Sequence, residues 1–490
     1  MAHILSKLIA LGGLAGFAAS QATVTVDVGT KYQQIDGFGF SQAFGRAKEF
    51  QNAPSSTQKK ALDYLFSTET GAGFSIIRNR VGSGGNGDSI LPNSPGSPSG
   101  NPSYKWDGDD SGQFWFTKQA ASYGVKTIIA DAWSAPGFMK TSGSDSKPGY
   151  LCGTTGHTCS SGDWRQAYAN FLVQYVKYYN QAGLNVTHLG FLNEPDYSPG
   201  YSQMQISSNA QEAISFIPTL HKTAQDAGVD VSLICCDAMG WQTQGTYTAA
   251  LAKAGSTQYL GAITSHSYTA DARTPLAAAG GLPTWNTEAG PGSGSGNTFV
   301  TTWYSRGANE EGFTWAGKIA VAMVEAQLSA YLFWEGFEVR QTQSGSHLVD
   351  ATDGTTPTPS GIFWAFAMWS RHIRPGARRV AASGSPSGVI TGAFLNADGS
   401  VVVVFTNTGT GTQSIKTSLA GTGVGAGAAA QAWLTNQGNN FASTTAKADG
   451  AAVTVSVPGR SVVTLKMTGA RLGAHKMRSF DVLLEYRSSS

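Results

Sequence analysis

The sequence predicts an α/β fold, a (β/α)8 TIM barrel with a fused antiparallel β-sandwich side domain. Three observations predict it. Eight short apolar strand signals alternate with helical patterns as far as Trp334, helices vanish after Pro375-Gly376, and one strand signal precedes the barrel without a partner in it. Strands separated by helices make a parallel sheet, and eight such units close it into a ring.

The elements follow in order. Lys7, the apolar run Leu8 to Ala19 and the small residues Ala18-Ala19-Ser20 read as a signal peptide over residues 1–20, so the mature chain is expected to begin at Gln21 and to be secreted. That run is too short to span a membrane, and no later one is long enough. Residues 21–35 hold the alternating strand Thr23 to Val28, expected to join the β domain. The barrel is expected over 36–373, with strands at Gly37 to Ala43, Ser75 to Val81, Thr127 to Trp133, His188 to Glu194, Val229 to Asp237, Ala262 to Tyr268, Pro283 to Glu288 and Ala330 to Trp334. Trp164, Tyr168, Phe171, Leu172, Tyr175 and Val176, spaced by threes and fours, mark the clearest helix. Gly82 to Gly112 is a long loop after the second strand, expected to wall a cleft at the barrel mouth. Short β runs at Val401 to Thr406, Ala430 to Leu434, Ala452 to Val457 and Ser461 to Met467 fill the sandwich domain, 374–468. The segment 469–490 shares neither composition nor period with what precedes it and is expected to be a disordered tail.

Composition narrows the class. Charged residues make up 13% of the 490 and the net charge is +2, which leaves no basic surface for nucleic acid. Cys152 and Cys159 flank a short loop and are expected to pair, whereas Cys235 and Cys236, adjacent on a strand, point to opposite faces, so at least one is expected to be a buried thiol. Adjacent cysteines without a CxxC partner lack zinc spacing. Asn185-Val186-Thr187 is an acceptor for glycosylation on a secretory route.

The chemistry is carried by two stretches of one design. Gly190 to Tyr197 runs apolar, turns polar at Asn193-Glu194 and stops at Pro195; Pro283 to Gly290 repeats this with Glu288. Both place a glutamate at the carboxyl end of a strand, which in a parallel barrel is the mouth. Strands four and seven face each other across that mouth, so the pair can converge closely enough for retaining glycoside hydrolysis, which needs carboxyl groups about 5 to 5.5 Å apart. Glu194 is expected to be the acid/base with a raised pKa, and Glu288 the nucleophile that stays ionised. Asn193 is placed to bond a sugar hydroxyl. Trp133 and Trp334 either stack on sugar rings or pack the rim, Tyr197 and Tyr201 belong to an aromatic loop beside the acid, and Tyr268 either holds Glu288 by its hydroxyl or packs. Arg78 calls for a carboxylate such as Glu288, and His266 reads as a polar core residue rather than a catalyst.

With these residues the chain resembles the clan A retaining glycosidases, in which Asn-Glu-Pro closes strand four and a glutamate ends strand seven. More narrowly it resembles glycoside hydrolase family 30, through Asp36-Gly37-Phe38-Gly39, Arg78-Asn79-Arg80, Ala132 to Lys140, Ser265-His266-Ser267-Tyr268 and Ser370 to Gly376, over about Thr23 to Met467. It is most similar to the fungal xylanase branch, some of whose members act on glucuronoxylan or release xylobiose. The resemblance implies an enzyme cleaving β-1,4-xylosidic bonds of xylan; no cofactor or metal is expected, and the chain is expected to act as a monomer. In that branch an arginine in the loop after the first strand is a candidate for gripping a glucuronic acid branch, which makes Arg46 either such a grip or a solvated surface residue. The same family also implies rival substrates, β-1,6-glucan or glucosylceramide. A non-catalytic carbohydrate-binding wall protein is the alternative from another class.

Overall fold

The computed structural model describes residues 21–84, 88–292, 298–341, 344–420, 424–450 and 452–470. The expected signal peptide and the segment from 471 onward lie outside them. After β1 (Ala22–Gln34), eight strands close into a barrel in chain order: β2 (Gly37–Gln42), β3 (Ile76–Val81), β4 (Thr127–Ala132), β5 (His188–Gly190), β6 (Ser232–Ala238), β7 (Leu260–His266), β8 (Thr284–Glu288) and β9 (Ala330–Trp334). Every neighbouring pair is parallel, and β2 closes the ring by pairing with both β3 and β9. The eight expected strands are these eight. The barrel interior is packed with Ile76, Ile129, Ile234, Ala262, Trp285, Ala330 and Leu332, the branched layer that such a barrel requires.

Outside the ring lie α1 (Arg46–Gln51), α2 (Ser55–Phe66), α3 (Gln113–Ser122), α4 (Arg165–Gln181), α5 (Gln211–Asp226), α6 (Trp241–Lys253), α7 (Gly312–Val324) and α8 (Gly361–Ser370). Helix α4 buries Tyr168, Phe171, Leu172, Tyr175 and Val176, the predicted apolar stripe. Between β7 and β8 the crossover holds only a 3-10 turn, Ala277–Ala279.

A small sheet of β10 (Phe337–Val339), β11 (Val349–Ala351) and β12 (Thr358–Pro359) sits beyond β9. The second unit contains β13 (Arg378–Ser383), β14 (Val389–Leu395), β15 (Val401–Asn407), β16 (Gln413–Ala420), β17 (Val424–Asn436), β18 (Asn439–Thr444), β19 (Ala446–Asp449), β20 (Ala452–Val457) and β21 (Ser461–Ala470). Strand β1 lies inside this ten-stranded sheet, antiparallel to β13 and parallel to β16. Its Val24, Val26 and Val28 point into the apolar core of the unit, as period-two alternation demands. The two units meet at α8 and the turn after it, where Trp369 packs on Phe394 at 5.9 Å and His372 on Trp433 at 4.1 Å.

Three expectations are corrected. Cys235 and Cys236 are joined to each other, and neither is a free thiol, because the strand bulges there instead of alternating; Cys152 and Cys159 pair as expected. Strand β5 ends at Gly190, so Glu194 sits on the loop beyond it. The later part of the loop after β3 is not a cleft wall: Trp106 stacks on Tyr178 at 5.1 Å, and Asp110 accepts from Tyr175 and Tyr179, which lays that part on the outside of α4.

Candidate active site

The site is built on a buried cation. Arg78 and Arg80 alternate with Asn79 on β3, so Arg78 enters the barrel mouth while Asn79 faces out and donates to Thr117 on α3. A guanidinium with no exposed surface is tolerable only if its donors are matched. Nη1 of Arg78 donates to Glu288 Oε2 at 2.8 Å and to Ser41 Oγ at 3.1 Å; Nη2 faces Asp131 and Asn193 Oδ1 at 2.7 Å and Asp237 at 2.8 Å. Five segments of the barrel mouth are thereby tied to one side chain. Room for Asp131 depends on Gly190, where any Cβ would run into its Oδ1.

Glu194 and Glu288 come together over this floor. Glu288 ends β8 and is 5% exposed, its Oε1 accepting from the Tyr268 hydroxyl at 2.8 Å. Glu194 takes a left-handed backbone, φ 46°, and its N–H donates to the Asp237 carbonyl at 2.8 Å, which turns the side chain into the mouth. Its Oε1 meets His266 Nδ1 at 3.1 Å. A carboxylate oxygen from each glutamate and a His266 ring nitrogen all lie within 4.8 Å of one another. That proximity fits the spacing of a retaining pair, about 5 to 5.5 Å, and falls short of the roughly 6.5 to 9.5 Å of an inverting one. The same trio is spaced for a metal ion, yet both Glu288 oxygens already accept from Arg78 and Tyr268. A site holding a guanidinium at 2.8 Å suits a cation poorly.

Burial and neighbouring charges set the electrostatics of the mouth. Burial lifts the Glu288 carboxyl above its ordinary range, Glu194 adds to the lift, and His266 and Arg78 pull it back. Burial opposes a charged His266, but Glu288, Asp237 and Glu194 surround the ring, outweigh it, and push it up to about 10. His266, 3.1 Å from Glu194 and 3.8 Å from Glu288, is thus biased toward the imidazolium by the two glutamates. Burial also acts against an ionised Asp237, and Arg78 and His266 overcome it, holding that carboxyl well below the carboxylate range. Asp131, on the same guanidinium, is raised by burial, with the Asp237 charge adding to the lift.

Above the glutamates opens a cleft of about 440 Å³. Phe44, Trp133 and Trp334 form an aromatic triangle on one side, with centroids 6.1 to 6.3 Å apart, and Tyr197 and Tyr201 stand exposed on the other. Both tryptophans rest on buried arginines: Arg78 lies 4.5 Å from the Trp133 centroid and Arg46 5.4 Å from that of Trp334. The side chain of Asn193, fixed by Arg78 through its carbonyl oxygen, faces the cleft with its amide nitrogen free to donate. No lysine, arginine or histidine lines the cleft among the described residues.

Arg46 is accordingly not a solvated surface residue. It is 3% exposed and ion-paired with Glu335 and with Glu338 at 3.2 Å, so its fork is already filled by the protein's own carboxylates. Sequence reasoning also passed over Asp131 and Asp237. Both are acids at the mouth end of apolar strands, the signal that singled out Glu288, but without a Gly-Pro stop after them.

Comparison with known proteins agrees with this geometry. A family model described as O-Glycosyl hydrolase family 30 matches residues 21–274, and one described as Glycosyl hydrolase family 30 beta sandwich domain matches residues 376–465. The chain is 48% identical to the catalytic domain of GH30 xylanase C from Talaromyces cellulolyticus, with 91% of this chain and 100% of that chain covered and a TM-score of 0.85. A family 30 subfamily 8 xylanase from Clostridium acetobutylicum shares the fold at 21% identity, covering 91% of this chain and 99% of that one, with a TM-score of 0.67. An endo-1,6-beta-D-glucanase from Neurospora crassa is 26% identical over 415 residues, 76% of this chain and 79% of its own length.

Proposed function

Because the chain belongs to glycoside hydrolase family 30, we propose that it cleaves β-1,4-xylosidic bonds of xylan with retention, through Glu288 as nucleophile and Glu194 as acid and then base. The observation that carries the reaction is the approach of the two carboxylates to within 4.8 Å. Glu288 attacks the anomeric carbon while Glu194 gives its proton to the departing glycosidic oxygen, leaving a glycosyl ester on Glu288. Water then attacks that carbon, Glu194 takes its proton, and the ester bond to Glu288 breaks. Arg78 and Tyr268 hold Glu288 in line, and the Asn193 amide donates to the hydroxyl next to the reacting carbon. Trp133 and Trp334 supply the flat faces on which sugar rings stack.

Likeness along the whole of a xylanase catalytic domain supports xylan as the substrate. A cleft without a cationic side chain among its described lining residues suits a neutral backbone, and gripping of a glucuronic acid by Arg46 forms no part of the reading. A second reading, β-1,6-glucan, has the Neurospora crassa relative behind it. Two disulfides suit the oxidising compartment to which a signal peptide would send the chain, and Asn185 is exposed for glycosylation on that route. Among the described residues no helix is long and apolar enough to cross a membrane. Digestion of undecorated xylan and of β-1,6-glucan by the wild type and by Glu288→Gln tests the whole. Xylo-oligosaccharides from the wild type alone are expected; glucan products alone would transfer the assignment to the second reading, and full activity of the variant would overturn the nucleophile.

A further inference from the structure

A regular strand sends adjacent side chains to opposite faces, so two neighbouring cysteines in one cannot join. Cys235 and Cys236 are joined, and the ladder between β6 and β7 slips its register at the next residue, between Cys236 and Ala238. Asp237 is the residue extruded by this bulge, with φ at 52°. Its geometry links the two glutamates. Its carbonyl accepts the Glu194 N–H at 2.8 Å; its Oδ1 accepts from Thr287, the neighbour of Glu288, at 2.7 Å; its Oδ2 meets Arg78 at 2.8 Å and His266 at 3.7 Å. Helix α6 closes the bulge from behind, Gln244 accepting from the Ala238 N–H at 3.3 Å and reaching the Cys235 carbonyl at 3.5 Å. Both cysteines are at most 2% exposed, which removes them from exchange with outside thiols and leaves them a role in geometry.

We propose that the Cys235–Cys236 disulfide is a positioning element of the active site: it holds the bulge that aims Asp237, and through Asp237 it sets Glu194 and Glu288 at their working separation. The proposal rests on these two glutamates being the catalytic pair. An extruded residue after a plain dipeptide would be free to return to the ladder, swinging the Asp237 carboxylate out of the mouth and releasing the Glu194 amide. In the joined form both anchors of Asp237 persist, and the acid loop beyond β5 stays referenced to the end of β8.

The test compares kcat and KM on xylan for the wild type, Cys235→Ala/Cys236→Ala, Asp237→Asn and the combination of all three, with Cys152→Ser/Cys159→Ser as the control disulfide. Folding of each is checked by near-ultraviolet circular dichroism. Loss of kcat by tenfold or more is expected in the cysteine-free site variant and in Asp237→Asn, with KM within twofold, and the combination should lose less than the product of the two losses, since both act through the same carboxylate. The control should keep its kcat. Wild-type kcat without the Cys235–Cys236 bond would overturn the proposal, as would losses that multiply in the combination. A double variant that does not fold would overturn it as well, by showing that the bond serves the fold. A wild type inactive on xylan would instead fail the reading of the function, leaving the variants without a reference.

Discussion

The Arg78 guanidinium reaches Glu288 at 2.8 Å from a position with no exposed surface. Its planar fork serves Glu288 with one nitrogen and Asn193, Asp131 and Asp237 with the other, which a point charge cannot do. Arg78→Lys is therefore expected to lower kcat on xylan by roughly 10²-fold or more, the scale of losing one oriented polar contact to the reacting groups, with a smaller change in KM. Steady-state kinetics that leave kcat within a factor of about three would separate Arg78 from the chemistry.

Glu194 and Glu288 are expected to fail in different ways. A leaving group that departs without a proton bypasses the acid but not the nucleophile. Glu194→Gln should lose most activity on xylan yet still release nitrophenolate from a nitrophenyl xylobioside in a first burst, and Glu288→Gln should be inactive on both. Burst kinetics distinguish them, and the reverse pattern would exchange the two roles.

The imidazolium links pH to stability. His266 is pushed up to about 10 in the folded chain, against an ordinary value of about 6.5. Its contribution to folding is complete below about pH 6.5 and is lost as pH rises through about 10, because over that window the folded state holds a proton that the unfolded state has released. Stability should fall by up to about 1.4 kcal/mol per pH unit from this group. Urea midpoints at several pH values are expected to decline more steeply in the wild type than in His266→Gln, and parallel curves would mean that the ring is neutral.

Arg46 lies under Trp334 with its fork occupied by Glu335 and Glu338. Arg46→Met is expected to raise KM several-fold by loosening the ring, and to do so equally on glucuronoxylan and on undecorated xylan. A loss confined to glucuronoxylan would return a branch-binding role to this residue.

Strand β1 has a neighbour on each side, β13 and β16. Removing residues 21–34 would strip both of ladder partners and take Val24, Val26 and Val28 from the core of the second unit. The shortened chain is expected to melt many degrees lower or to be recovered as aggregate, because the cut exposes two strand edges in the middle of a sheet. An unchanged melting temperature would show that the ten strands are not one cooperative unit.

The barrel was legible because its signals are local. Apolar runs of strand length, the helical spacing in α4 and the change of pattern after Pro375-Gly376 each lie within a dozen residues, and the glutamates stood out because an acid followed by Gly or Pro at the end of an apolar run is conspicuous in one dimension. Even the adoption of β1 by the second unit followed from counting strands.

What joins residues across the ring was decided only by closure. In the charge network Arg78 meets Asp131, Asp237 and Glu288, and Arg46 meets Glu335 and Glu338, partners that stand between 53 and 292 residues away in the sequence. Whether a guanidinium meets solvent, substrate or a carboxylate depends on what folding brings within 3 to 4 Å, and no local period encodes that. The bulge at Asp237 is of the same kind: pairing of adjacent cysteines breaks strand alternation at one point, and a sequence read by period assumes that alternation continues. The sequence by itself determined which elements form and where the acids stand at their ends; tertiary structure decided which charges share a burial, since desolvation and pairing are properties of the closed mouth and not of any stretch of chain.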